Sequence, residues 1–236
     1  MNTIETERNP IEKPRGGKAR LFDRAEIVSA ALSILDEEGH EALSLRAIAR
    51  KLGTGPATIY NYFKSLMDVE DAIVSHLMSS VRAPEPTRNV PLREQLVDMA
   101  VSYHKVVLQH PNLESVSGPT AERSRVLLIN STLRTLVDAG VSIEVAALCV
   151  SLLRGFAYNQ AIALRGSEKG LSVKARRAWV KTMAPGEIDM IVALRQSDMF
   201  KGSQQEAFRK GVETTIDRMM PELSKPEPGA RKGQKQ

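Results

Sequence analysis

The chain has 236 residues, of which 42% are hydrophobic and 26% charged, and its formal net charge is +5. This length suits one large domain or two small ones and allows a core without disulfides or metals. The single cysteine, Cys149, excludes an intramolecular disulfide, and its apolar surroundings predict a small core residue. We find no N-terminal signal sequence and no apolar stretch of the ~18 residues that span a bilayer, which predicts a cytoplasmic protein without a membrane partner.

The first helix is predicted by its cap, its apolar spacing and its stop signal. Asp23 is a typical N-cap, and Gly39 lies where a glycine ends a helix. Between them, the apolar side chains recur at the spacing of one buried helical face. These positions are Ile27, Ala30, Ala31, Ile34 and Leu35.

Two short helices separated by a glycine follow. Ser44 is a plausible N-cap for a helix to Lys51 or Leu52, Gly53 breaks it, and Pro56 suits the first turn of a helix to about Phe63. This pattern is typical of a helix-turn-helix, whose second helix presents polar groups to base edges. The available groups are Thr58, Tyr60, Asn61 and Tyr62, of which asparagine can read adenine and threonine can contact a thymine methyl group.

Further helices predict an all-α fold. A fourth covers about Leu66–Ser80, and the segment Ala83–Pro86 then breaks the chain. The later predicted helices are Pro91–His110, Ala121–Ala139, Ile143–Arg165, Ser172–Thr182, Pro185–Gln196 and Gln204–Met220. We therefore divide the chain into a flexible basic arm (1–19), a helix-turn-helix domain with a linking helix (20–82), a second helical domain (87–221) and a flexible tail (222–236).

The region from about Phe22 to Leu77 resembles the tetracycline-repressor (TetR) family. The resemblance rests on the runs Leu43–Ala49, Leu52–Gly53 and Thr58–Lys64 with their spacing. It implies an N-terminal helix-turn-helix DNA-binding domain and a C-terminal helical domain for ligand binding and dimerisation. The implied DNA-contacting residues are Ser44, Arg46, Thr54, Ala57, Thr58, Tyr60, Asn61, Tyr62 and Lys64.

The resemblance also implies a role for most of these side chains. Arg46 would reach a base edge or a phosphate. Thr58, Asn61 and Tyr62 would face the major groove, whereas Tyr60 and Lys64 would contact the sugar-phosphate backbone. The chain departs from the family at Leu66, where a lysine that helps to hold a phosphate is common.

The sequence allows two interpretations of the function of the N-terminal arm. Its basic residues Arg15, Lys18 and Arg20 could form a solvated tail, or could enter a minor groove beside the helix-turn-helix.

The family resemblance implies a homodimeric repressor that binds a palindromic operator in double-stranded DNA and is released by a small-molecule effector. Dimerisation is expected through the helices Ile143–Arg165 and Gln204–Met220. Nine methionines and few aromatic residues favour an adaptable cavity for an apolar or amphipathic effector. The candidate pocket residues are Tyr103, His104, Val107, Arg154 and Tyr158. For His104 the sequence favours a packing or surface role over a ligand contact, and Arg154 and Tyr158 could belong to a dimer interface.

The sequence does not indicate an enzyme or a cofactor. The four histidines lack metal-ligand spacing, and no nucleophile, phosphate-loop or paired-carboxylate motif occurs. We therefore assign no catalytic or metal-binding residue. Two other functions stay open: a DNA-binding regulator without a small-molecule effector, and a helical enzyme or carrier with a vestigial DNA-binding head.

Overall fold

The computed structural model describes residues 22–116, 119–169, 182 and 203–224, and these residues form α-helices and short 3-10 turns without a strand. The predicted all-α fold is therefore confirmed for this part of the chain. Its helices are α1 (Arg24–Glu38), α2 (Leu45–Lys51), α3 (Pro56–Tyr60), α4 (Leu66–Ser79), α5 (Leu92–Gln109), α6 (Pro119–Asp138), α7 (Ile143–Lys169) and α8 (Gln204–Met219), with 3-10 turns η1 (His40–Ala42), η2 (Pro111–Ser115) and η3 (Pro221–Ser224).

Several predicted segments lie outside the described residues. They are the basic arm with Arg15, Lys18 and Arg20, the tail beyond residue 224, and the predicted helices Ser172–Thr182 and Pro185–Gln196, apart from Thr182 itself.

Local capping fixes the ends of α1. The Asp23 side chain accepts hydrogen bonds from the first turn, while the Glu26 carboxylate accepts one from the Asp23 backbone N–H at 3.0 Å. Such a reciprocal pair satisfies amide groups that have no partner within the helix. Gly39 ends the helix with φ +88°, in the left-handed region that favours glycine. The predicted cap and stop are both confirmed, and all five predicted core positions of α1 are buried.

The head, which we define as α1–α3, is built around a small apolar core. Ile48 from α2, Ile59 from α3 and Phe63 just after α3 are each at most 1% exposed. Helix α4 contacts α1 on one side and α6 on the other. Because α4 touches both parts of the molecule, it positions the head relative to the remaining helices.

The body, which we define as α5–α8, packs α5 and α8 against α7. The Arg93 guanidinium of α5 donates two hydrogen bonds, of 2.6 and 2.8 Å, to the Asp217 carboxylate of α8. This paired geometry fixes the orientation of the two helices. Cys149 is fully buried in α7, which confirms its prediction as a core residue.

Helix α7 is more apolar than the sequence analysis recognised. Its segment Ile143–Leu164 is 22 residues long and, by length and composition alone, could cross a membrane, so the expectation that no stretch is long and apolar enough was wrong. Only 33% of the most apolar 18-residue stretch of this segment is buried. Large apolar side chains are therefore exposed on α7, and these are Ile143, Leu148, Leu152, Phe156 and Ile162.

Candidate nucleic-acid interface and cavity

The turn between α2 and α3 is fixed by one glycine and two hydrogen bonds. Gly53 has φ +66°, a conformation that side chains with a Cβ adopt at a cost. The next backbone N–H, of Thr54, donates to the Ala49 carbonyl at 2.9 Å, and the Thr54 hydroxyl donates to the Thr58 hydroxyl at 2.9 Å. This arrangement holds the start of α3 in place over the end of α2.

Helix α3 presents a polar face to solvent. Tyr60 is 56% exposed, Ala57 and Asn61 are also exposed, and Thr58 is half-buried. On the opposite side, Ile59 is completely buried. The exposed face therefore brings together most of the residues that the resemblance assigns to DNA contact, with Arg46 of α2 and Lys64 exposed beside them.

Tyr62 is set apart from this face by its hydrogen bonds, and its role as a major-groove residue stays a prediction. Its hydroxyl accepts a hydrogen bond from the Phe22 backbone N–H at 3.1 Å, and its carbonyl accepts one from the Arg24 guanidinium at 2.6 Å. Arg24 also lies 4.1 Å from the centroid of the Phe63 ring. Tyr62 therefore ties the end of α3 to the start of α1, and its partly buried ring packs against the core.

Two serines cap the helices that border the interface. The Ser44 hydroxyl accepts from the Ala47 backbone N–H at 3.1 Å, as predicted for the N-cap of α2. Ser65 caps α4 together with Asp68, whose carboxylate accepts from the backbone N–H groups of Lys64 and Ser65 at 2.9 and 3.0 Å. Leu66 packs against the core at the first position of α4, and the exposed Lys64 is the cation nearest to it in sequence.

The acidic end of α1 has two different hydrogen-bond partners. The Asp36 carboxylate accepts a hydrogen bond from His110 of the body at 2.8 Å. Glu37 pairs with Lys51 at 3.2 Å, and its pKa is lowered by a hydrogen bond from Ser33 and, to a smaller degree, by Lys51. The charge of Lys51 is therefore partly offset by Glu37. Arg46 and Lys64 are exposed cations that flank α3.

A cleft of about 470 Å³ opens on the body between α5, η2 and α7. Three of the predicted pocket residues line it, namely Tyr103, Arg154 and Tyr158. The Tyr103 hydroxyl donates to the Glu114 carboxylate at 3.2 Å, and the Arg154 guanidinium lies 5.9 Å from the Tyr103 ring centroid. Burial is the main cause that raises the pKa of Tyr103, so the phenol is protonated and able to donate.

The other two predicted pocket residues lie elsewhere. His104 and Val107 are buried and do not line the cleft. The His104 ring stacks on Phe208 of α8 with centroids 4.1 Å apart, and burial lowers its pKa, which favours the neutral imidazole. Helix α5 turns this position towards α8 rather than towards the cleft, which fits the packing role that the sequence left open for His104.

Two further cleft residues, Glu114 and Ser151, were not predicted from the sequence. Ser151 could have been found, because it shares one helical face with Arg154 and Tyr158 through spacings of three and four residues. Glu114 had no such signal, since its place depends on how η2 folds back after Pro111.

Tyr103 and Arg154 also separate the cleft from a second, apolar space. Behind them lies a void of about 10 Å³, lined mainly by apolar side chains such as Met99, Leu128 and Leu153. A void of this size holds at most one water molecule. The two polar side chains therefore form a wall with open polar space on one side and tightly packed apolar space on the other.

Comparison with known proteins shows which family the head resembles. Residues 27–66, which run from α1 to the start of α4, match the family model described as bacterial regulatory proteins, tetR family. Over these residues the chain is similar to the TetR family. The match covers the head, where the exposed face of α3 lies.

Curated proteins that are similar to this chain include tetracycline repressors. The chain is 28% identical to the class E repressor of Escherichia coli over 139 residues, which cover 56% of this chain and 63% of the relative. It is 23% identical to the class D repressor of E. coli over 200 residues, covering 84% of this chain and 88% of the relative. The alignments with the first three relatives span only 63%, 31% and 42% of those proteins.

Solved TetR-family structures share the fold over most of the chain. The apo structure of ActR from Streptomyces coelicolor is 25% identical, with a TM-score of 0.62, and the match covers 86% of this chain and 97% of ActR. The two-domain helical architecture inferred from the sequence is therefore that of known structures.

Proposed function

We propose that this protein is a dimeric transcriptional repressor that binds a palindromic operator and is released by a small amphipathic effector. The exposed face of α3, flanked by the cations Arg46 and Lys64, carries the proposal. One short helix contacts only a few base pairs, so two heads related by a two-fold axis are needed to read a full operator. We place this activity in the cytoplasm, on chromosomal or plasmid DNA.

The roles that we propose for the interface residues at the DNA follow from their side-chain chemistry and their exposure. Thr58 and Asn61 read bases, with Ala57 making apolar contact in the groove. Arg46, Tyr60 and Lys64 fix the register on the sugar-phosphate backbone. Ser44 and Thr54 shape the ends of α2 and α3 through their hydrogen bonds, and we propose that they border the backbone phosphates.

The apolar face of α7 supports dimerisation. Leu148, Leu152 and Phe156 recur every four residues, so they share one face of the helix, and each is at least 39% exposed. A contiguous exposed apolar face of this kind is typical of an interface. We propose that α7 and α8 pack against their symmetry mates as a four-helix bundle, within a body domain that extends over 87–221 behind a head and linking helix at 20–82.

The cleft beside Tyr103 supports an effector site. Arg154 offers a guanidinium, Tyr103 and Tyr158 offer aromatic faces with hydroxyl groups, and the volume of about 470 Å³ is in the range of small-molecule sites. ActR, which shares this fold, has been crystallised in complex with actinorhodin. We propose that an amphipathic molecule with a planar apolar part and a hydrogen-bonding end occupies the cleft and shifts the head positions through α4.

Selection from random duplex DNA tests the proposal. Purified full-length protein is incubated with the library at ~150 mM salt, where non-specific phosphate binding is weakened. We expect enrichment of a palindrome whose half-sites lie ~34–36 Å apart, one helical turn. A triple variant with Thr58→Ala, Tyr60→Ala and Asn61→Ala should enrich nothing while it keeps its helical circular-dichroism spectrum. Lack of enrichment by the native chain would contradict the proposal.

A further inference from the structure

A second cleft, of about 360 Å³, lies between the head and the body and is separate from the cleft beside Tyr103. Side chains of α1, α4 and α5 line it, together with Arg82 in the segment that follows α4. Its floor is apolar and consists of Leu32, Leu77, Val101 and Val106. Any molecule in this space would therefore touch a head helix, the linking helix and a body helix at the same time.

The rim of this cleft is polar and carries an excess of positive charge. Arg82 and Lys105 are exposed cations, and His76, Ser80 and Gln109 add further hydrogen-bonding groups. The rim also includes His110, which is paired with Asp36, and Ser102, whose hydroxyl accepts from the Arg82 backbone N–H at 2.9 Å.

The one carboxylate of the rim, that of Asp98, does not cancel this charge. Two arginines share it: the Arg88 guanidinium lies 3.4 Å away and that of Arg82 lies 4.0 Å away. Arg82 is 69% exposed in its side chain, so it is free to turn towards a bound group at little cost. Lys105 lies two turns of α5 beyond Asp98 on the same face and extends the positive potential along the cleft.

We propose that this cleft is a second ligand site, which takes a small amphipathic anion with an apolar body and a single carboxylate or sulfonate. The apolar floor would bury the body of such a molecule, and Lys105 and Arg82 would bind its charged end. Charge-assisted hydrogen bonds of this type are stronger than neutral ones. Because its walls belong to both head and body, a bound anion fixes their relative position, independently of the cleft beside Tyr103.

Methyl NMR of the full-length protein with 1-naphthoate as the probe tests the proposal. We expect saturable shifts of the Leu32, Leu77, Val101 and Val106 methyl signals, whereas the signals of Leu128 and Leu153, behind Tyr103, stay unchanged. The neutral analogue 1-naphthamide should bind at least about tenfold more weakly, because it lacks the charge that the cations recognise.

Matched variants test which residues bind the naphthoate. Lys105→Glu should weaken naphthoate binding at least about tenfold, and Arg134→Glu, the same reversal at an exposed position of α6, should leave it unchanged. Arg154→Gln, in the other cleft, should likewise have no effect. Absence of shifts, shifts confined to Leu128 and Leu153, equal binding of the amide, or equal losses in the Lys105 and Arg134 variants would each overturn the proposal.

Discussion

The imidazole Nδ1 of His110 lies 2.8 Å from Oδ2 of Asp36, and this contact joins the end of α5 to the last turn of α1. A second contact reinforces it, because the Asn112 side-chain amide donates to the Leu35 carbonyl at 2.7 Å. Both cross from body to head. The orientation of the head is therefore set at α1 as well as by α4.

We expect Asp36 and His110 to be energetically coupled. Each of Asp36→Asn and His110→Ala should lower the free energy of unfolding by about 1–2 kcal/mol, and the double variant should lose less than the sum. Urea denaturation of the four proteins gives the coupling energy, expected to exceed about 0.5 kcal/mol.

The exposed pair Glu37–Lys51 provides the comparison. Its side chains are 63% and 34% exposed, against 25% and 20% for Asp36 and His110, so solvent screens it more strongly. The cycle with Glu37→Gln and Lys51→Met should give the smaller coupling. A larger value for this pair, or strictly additive effects at Asp36 and His110, would show that the contact does not fix the head.

We expect Tyr62→Phe to lower stability without changing base preference, and Asn61→Ala to change base preference with little effect on stability. Loss of the Tyr62 hydroxyl removes its hydrogen bond with the Phe22 backbone N–H, which should cost about 1 kcal/mol of stability and leave base preference unchanged. Asn61 is exposed, so its replacement should change stability by less than about 0.5 kcal/mol but relax the preference at one position in each half-site.

Thermal melts and operator selection on both variants check this contrast. A changed base preference in Tyr62→Phe without loss of stability would place Tyr62 among the groove-facing residues.

The contrast between Asn61 and Tyr62 shows which features could be predicted from the sequence. The limits of α1 and α2 were predictable because Asp23, Gly39 and Ser44 act on backbone groups within four residues. The orientation of Tyr62 was not, since its partner at Phe22 is 40 residues away.

The same distinction applies to the body. Helical spacing predicted Arg154 and Tyr158 together on the wall of the cleft. Glu114 and His104 depended on the placement of η2 and α8, which are fixed by tertiary packing rather than by local pattern.

We expect Gly211→Ala to weaken self-association. A Cβ at this position of α8 would lie 2.9 Å from Cζ of Phe156, so the Phe156 ring must move from its stacked position, 5.2 Å from Phe208. Because Phe156 belongs to the apolar face proposed for dimerisation, its displacement changes the shape of that face. Sedimentation equilibrium should show a dissociation constant at least about tenfold higher, a loss of about 1.4 kcal/mol.

Gln205→Ala serves as the control for this experiment, because Gln205 is exposed on the same helix. It should leave the dissociation constant unchanged. An unchanged value for Gly211→Ala would place the dimer interface away from Phe156.

We expect Cys149 to make the stability of the protein fall at alkaline pH. Burial raises the pKa of its thiol from 9.0 to about 11, so between these values the folded protein retains a proton that the unfolded chain releases. The thiol therefore contributes stability that is fully present below pH 9 and is lost as pH rises through about 11.

Other groups also titrate in this range, and the comparison with Cys149→Ala removes their common contribution. The free energy of unfolding is measured in urea from pH 8 to pH 11 for both proteins. It should fall more steeply with pH for the native chain than for Cys149→Ala, by on the order of 1 kcal/mol per pH unit. The difference in stability between the two proteins therefore narrows as the pH rises. Parallel curves would mean that the thiol exchanges protons with solvent in the folded state and that the core around α7 opens more readily than its packing indicates.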